Sequence, residues 1–134
     1  MTNENAEEKV SADILSVSAS GSENAYSFSV EIQSPDIGCD QYADWWEVVS
    51  EEEELLYRRI LAHSHVNEQP FTRSGSPIPI SKIQPVWIRA HMNTGGYGDA
   101  FYGSVSTGFS NQVPQPDFAR DIETQEPLPQ NCTF

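Results

Sequence analysis

Residues Tyr26 to Ile32, YSFSVEI, alternate without exception between apolar and polar side chains. Side chains on a strand point to opposite faces in turn, so this stretch is a half-buried strand with one face on a core and one toward water. A helix of the same composition would scatter Tyr26, Phe28, Val30 and Ile32 around its axis. Nearby patterns extend the expectation. Ile14 to Ala19 reads as a first strand with Leu15, Val17 and Ala19 on one face, and Ser20-Gly21-Ser22-Glu23-Asn24 supplies turn chemistry. The two strands are expected to pair as a hairpin.

Further along, Trp45 to His65 places two β-prone runs on either side of Ser50-Glu51-Glu52-Glu53-Glu54. That pattern predicts a second hairpin with a solvated acidic turn. Trp46 and Val48 fall on one face, and Trp45, Glu47 and Val49 on the other. Neither face is purely polar, so both are expected to be covered at least in part. From Asn67 to Gln84 the chain has three prolines, which limit it to a connection, an edge strand or an extended segment in which Phe71 packs as a plug. Val86 to Met92 is a strand with Val86, Ile88, Ala90 and Met92 inward and Trp87, Arg89 and His91 outward. The glycine-rich turn Asn93 to Asp99 leads to a last strand, with Phe101, Gly103, Val105, Thr107 and Phe109 on its inner face.

No long helix is predicted. Strands separated by Gly, Pro and Ser point to an all-β chain, an antiparallel β-sandwich of about seven strands and of immunoglobulin or fibronectin size. Its expected divisions are a disordered leader over 1–12, the sandwich over 13–110 and a Pro-rich C-terminal tail over 111–134. Phe118 and Ile122 could pack back on the body. The antibody arrangement of a Trp against an inter-sheet disulfide is absent at its usual spacing. Cys39 and Cys132 can close one long loop, stabilising by roughly 4–5 kcal/mol in the chain-entropy model, or remain two thiols.

The formal charge of −13 makes nucleic acid and anionic membrane surfaces poor partners. No run approaches the ~20 apolar residues of a membrane span. The polar start, MTNENAEEKVSAD, is not a signal peptide, which assigns the chain as written to the cytoplasm; an exported protein stripped of its signal would read the same.

Two sets of residues can carry function. Tyr57 and Arg59 on one strand and Trp87 and Arg89 on another would form an aromatic–arginine binding surface if both faces point outward. Such residue types are enriched at binding hot spots. This reading needs no cofactor, and its partner is a protein or another cell-envelope component. The same residues could instead stabilise the sheet through stacking and cross-strand pairs. The second set is histidine. His63 and His65, two apart, share one side of a strand, and His91 on a neighbouring strand would complete a three-histidine site for Zn or another transition metal. The alternative is three imidazoles that never meet. Asp36, Asp40, Asp44 and the glutamates of the turn lack the spacing of a Ca²⁺ loop, and no nucleophile elbow is present.

His63-Ser64-His65-Val66-Asn67-Glu68 looks like part of the first cupin motif, but Glu68 follows His65 too closely, and no second motif surrounds His91. More broadly, GCDQYADWWEVV (38–49), HSHVNEQPFTRSG (63–75) and VWIRAHMN (86–93) together resemble small uncharacterised bacterial β-sandwich proteins, often found behind an export signal. The resemblance covers roughly residues 13–109. It implies the sandwich and an envelope location, and it implies no activity.

Overall fold

A computed structural model describes residues 10–133. Eight strands run in chain order: β1 (Asp13–Ser22), β2 (Ala25–Gln33), β3 (Ala43–Ser50), β4 (Leu55–Ile60), β5 (Phe71–Ile78), β6 (Val86–Met92), β7 (Gly96–Ser104) and β8 (Gly108–Gln112). All pairings are antiparallel. One sheet has the order β1-β2-β5 and the other β4-β3-β6-β7-β8, and the two face each other as an all-β sandwich. Their inner faces meet in a single cluster that includes Phe28, Val30, Ile32, Trp46, Val48 and Ile88, none measurably exposed. Burial of side chains of this size contributes ~1.5–3 kcal/mol each, the main favourable term in such a fold.

The alternation in β2 is reproduced, with Tyr26, Phe28, Val30 and Ile32 all buried. In β1 the expected face shifts. The register with β2 slips between Ile14 and Ser16, so Leu15 forms a bulge and stands 45% exposed, while Ile14 and Val17 turn inward. A bulge adds one residue to one strand and so inverts the parity of everything before it. The predicted last strand is two strands, β7 and β8, folded on the turn at residues 105–107. Phe109 reaches Phe28 across the core.

Within the proline-containing connection, residues 71–78 form β5, an edge strand of the smaller sheet, and Phe71 is buried at its start. Here the two sheets come close at one side. A Cβ on Gly75 would lie 2.5 Å from the Tyr57 ring of β4, so a side chain at this position would displace that ring. Of the expected leader, residues 1–9 lie outside the described residues, but Val10 to Ala12 belong to the body. Ala12 is fully buried, and the carbonyl oxygen of Val10 sits where a Cβ on Gly95 would be. Among the described residues no helix is long and apolar enough to cross a membrane.

Cys39 and Cys132 form a disulfide that spans 93 residues. It anchors the far end of the segment expected to be a tail. That segment lies across the outer face of the five-stranded sheet as a strap, with a single 3-10 turn at Arg120–Thr124. Thr133 continues into two backbone hydrogen bonds, donating to Ala62 and accepting from Ser64. Every residue of β3 is consequently buried.

Candidate functional site

The outer face of the larger sheet begins with a row of charge. Glu47 on β3 is in register with Arg58 on β4 and Arg89 on β6, and opposite residues in a ladder share a face. Glu47 has no exposed surface. One of its carboxylate oxygens accepts from Arg58 Nε at 2.7 Å and the other from Arg89 Nε at 2.7 Å. The outer ends of both guanidiniums hold the strap by its backbone. Arg58 donates to the carbonyls of Ile122 (2.7 Å), Gln125 (2.5 Å) and Pro127 (2.9 Å). Arg89 donates to those of Phe118 (2.9 Å) and Ala119 (2.7 Å). One carboxylate between two guanidiniums leaves one positive charge, and five carbonyl dipoles from the strap face it. Ring faces complete the enclosure: Arg58 stacks 4.1 Å above Trp45 and Arg89 lies 3.5 Å from the Tyr97 ring centroid. Burial, followed by the Glu47 charge, pushes the Tyr97 phenol above its ordinary pKa.

His91 lies on the same face. Its ring stacks flat on Trp45, with centroids 3.8 Å apart. Nδ1 is 2.6 Å from Asp44 and Nε2 is 2.8 Å from Glu123 of the strap. An imidazole can donate from both nitrogens only when protonated. Burial alone would lower its pKa, but the hydrogen bonds and charges of Asp44 and Glu123 outweigh it and hold His91 above the ordinary value of 6.5.

The other two histidines belong to a different cluster. His65 stacks on Phe71 at 3.9 Å, and its Nε2 accepts from Arg73 at 2.9 Å. Burial first, then the charges of Arg73 and His63, keeps it below 6.5 and neutral. The buried carboxylate of Asp36 ties this corner together. It accepts from the Ser34 hydroxyl and from the backbone N–H groups of Ala43 and His65, at 2.7, 3.1 and 2.8 Å. His63 sits beside His65, with ring centroids 4.5 Å apart. The three histidines of the possible metal site thus fall into two clusters, His63 with His65 and His91 with Asp44 and Glu123. Both nitrogens of His91 are taken by carboxylates, and His65 is committed to Phe71 and Arg73. Among the described residues no three His, Cys, Asp or Glu side chains gather as a metal site.

The expected aromatic–arginine surface is also divided, because β3 lies between its two strands and the register sends its halves to opposite faces. Tyr57 pairs with inward Val48 and Arg59 with inward Trp46; Trp87 and Arg89 pair with outward Val49 and Glu47. Tyr57 packs against Trp46, and Arg59 donates to the Ser74 carbonyl of β5 at 2.8 Å. Trp87 lies under Phe118 of the strap. Of the four, Arg89 lines a half-open cavity on this face.

That cavity, of about 610 Å³, lies between Gly95, the outer face of β7 and strap residues 113–123; the glycine-rich turn expected over 93–99 ends at Gly95, and Gly96 to Asp99 already belong to β7. Its existence follows from side-chain size. Along the outer face of β7, Ala100 stands opposite Arg89, with Tyr97 and Tyr102 on either side opposite His91 and Trp87; the alanine leaves a gap that the strap bridges. Arg89, Tyr97, Phe118, Arg120 and Glu123 supply the polar and aromatic wall. The sequence places Glu47 only on a strand face, within reach of cross-strand pairs, and does not single out Arg58, Tyr97, Arg120 or Glu123. The available signal was Glu47 itself, a lone charge inside the apolar run WWEVV, which must find a cationic partner wherever both faces are covered.

No family model matches the chain. Over 104 residues it is 38% identical to the "putative lipoprotein" of Halomicrobium mukohataei, a match covering 77% of this chain and 50% of that protein. The chain thus spans about half the length of the curated relative it matches. Among solved structures, a superoxide reductase (neelaredoxin) from Ignicoccus hospitalis aligns over 75% of this chain and 82% of its own, with a TM-score of 0.45 and 13% identity. A likeness that slight carries no argument about chemistry.

Proposed function

We propose that this chain is an extracytoplasmic, non-enzymatic β-sandwich module that binds a small ligand in the cavity between the glycine-rich start of β7 and the strap. The observation that carries the reading is the wall of that cavity. Its volume of about 610 Å³ falls within the roughly 300–1,000 Å³ of small-molecule sites. Its lining combines aromatic rings with guanidinium groups on a rigid sheet floor, so a ligand would meet groups already held in place. The reading keeps the binding role anticipated for Arg89 and moves it from a flat surface to a half-open cavity. The outside location draws on the Cys39–Cys132 disulfide, a bond that persists in oxidising compartments, and on the relative named as a lipoprotein.

Titration of the ¹⁵N-labelled protein with separate panels of carboxylates, neutral sugars, nucleosides and short peptides tests the binding site. At least one class should shift the amides of 95–100 and 113–123 saturably. If no class moves those resonances, the cavity is not a ligand site. Thiol-blocking of the chain in its own host reads the compartment: both cysteines should resist alkylation until reductant is added.

A further inference from the structure

Resting on that binding site, we infer that the cavity selects ligands carrying a carboxylate on an apolar or aromatic body. The charge of its wall runs against that of the molecule. The whole chain bears −13, yet the charged groups lining the cavity are two arginines, Arg89 and Arg120, and one glutamate, Glu123. The glutamate is already bonded to His91, whereas the guanidiniums keep donors in reserve. Arg89 uses Nε on Glu47 and one N–H from each terminal nitrogen on Phe118 and Ala119. A guanidinium has five N–H groups, so one remains on each terminal nitrogen of Arg89. Arg120, exposed at the rim, makes one long bond to its neighbour Pro116 at 3.2 Å and has the rest of its fork available.

The charge of Arg89 is also incompletely answered. Glu47 is shared between Arg89 and Arg58, so the buried row keeps an excess positive charge a short way behind the cavity floor. Carbonyl dipoles moderate that charge, and so does the adjoining cluster in which Asp44 and Glu123 share one imidazole of His91; Arg120 adds a second positive group at the cavity itself. An anion arriving beside Arg89 and Arg120 would meet charge-assisted donors in a partly dry space, where such bonds are about twice as strong as neutral ones. The rest of the wall, Tyr97, Phe118 and the prolines of the strap, has rings and apolar edges for the body of a ligand. A neutral sugar fits this wall less well, because its hydroxyls need acceptors as well as donors, and the lining has one carboxylate, Glu123, with Oε2 already bonded to His91.

Benzoate and benzamide have the same ring and nearly the same shape and differ in charge, so together they isolate the inference. Titrated into the ¹⁵N-labelled chain at low salt, benzoate should shift the amides of 95–100 and 118–123 saturably, and benzamide should bind about tenfold more weakly or not at all. Arg120→Gln, at an exposed position that leaves the fold intact, should weaken benzoate by about the same factor, and 0.5 M NaCl should weaken it further. Equal binding of benzoate and benzamide in the cavity, or binding there by the neutral sugar panel in place of benzoate, overturns carboxylate selection and leaves the binding module standing. Silence of these resonances toward every compound overturns both.

Discussion

At the scale of single residues, the two buried histidines are held in opposite charge states, and stability must answer to pH through both. His91 has its pKa raised by Asp44 and Glu123 against the effect of burial. The groups that face it come from every neighbouring element: Asp44 from β3, Glu123 from the strap and the Tyr97 ring from β7, with Trp45 beneath and the Glu47–Arg58–Arg89 row adjoining. A raised histidine contributes stability that is complete below its unfolded pKa of about 6.5 and is lost as pH rises through the folded value. His65 has its pKa lowered by burial and by Arg73. It contributes stability that is present above about pH 6.5 and is lost as pH falls through its folded value. Urea unfolding from pH 5 to 9 should therefore show stability declining on the alkaline side through His91 and on the acid side through His65. His91→Gln should flatten the alkaline limb and leave the acid limb, and His65→Gln the reverse. If either substitution leaves its own limb unchanged, the corresponding histidine is not the titrating group.

Between elements, the strap is the part of the fold least visible in the sequence, and the reason is physical. Residues 113–133 are held mainly by their carbonyl oxygens, which every residue possesses, so recognition by Arg58 and Arg89 leaves no pattern in the recognised segment. Only Phe118 and Ile122, its apolar contacts with Val49 and Trp87, could be anticipated. The strand β2 shows the opposite case, since its core contacts are made by alternating side chains and are written directly into YSFSVEI. The division of Tyr57 and Arg59 from Trp87 and Arg89 was hidden for a third reason. Which face a strand turns inward depends on register with a neighbour that the sequence does not name. The glutamate turn was legible as a turn, and Ser50 caps it by accepting from the N–H groups of Glu52 and Glu54, but Glu53 also tacks the strap by accepting from Ala119 N–H at 2.8 Å.

The strap's two kinds of fastening can be separated by experiment. Replacing both cysteines by serine opens a loop of 93 residues and should cost about 4–5 kcal/mol in global stability. The guanidinium clamps remain in that variant. In native-state hydrogen exchange, amides near Thr133 should lose protection, and those of β3 should keep theirs relative to the new global limit. If β3 opens together with the chain end, the arginines do not hold the strap independently of the disulfide.

For the molecule as a whole, the surface is strongly acidic, because burial takes Asp36, Asp44 and Glu47 out of it along with Arg58 and Arg89 and so leaves the balance almost unchanged. Against 20 acidic residues the chain has only seven lysines and arginines, so like charges crowd the exterior and oppose compaction. Raising ionic strength from about 0.01 to 1 M shortens the screening length from roughly 30 to 3 Å. That change should raise the melting temperature, measured by circular dichroism at neutral pH. The Glu47 row, being dry, should be little affected by salt, so Glu47→Gln should lower stability by a similar amount at both ends of the salt range. A melting temperature that falls on adding salt would mean that surface attraction outweighs repulsion.

The disulfide also determines how the domain would bear a load. Cys39 and Cys132 make a covalent ring containing strands β3 to β8, with β1, β2 and everything before them outside it. A pull from the N-terminal side would peel β1 and then β2 from the smaller sheet, and the tension would then pass across the sulfur–sulfur bond instead of through the ring. Up to roughly 300 Å of chain, at about 3.4 Å per extended residue, would never pay out. The cavity between the glycine-rich start of β7 and the strap lies inside that ring. A domain pulled from its N-terminal side would lengthen by β1 and β2 alone, and their loss would bare the inner face of the larger sheet and take Val10 away from Gly95.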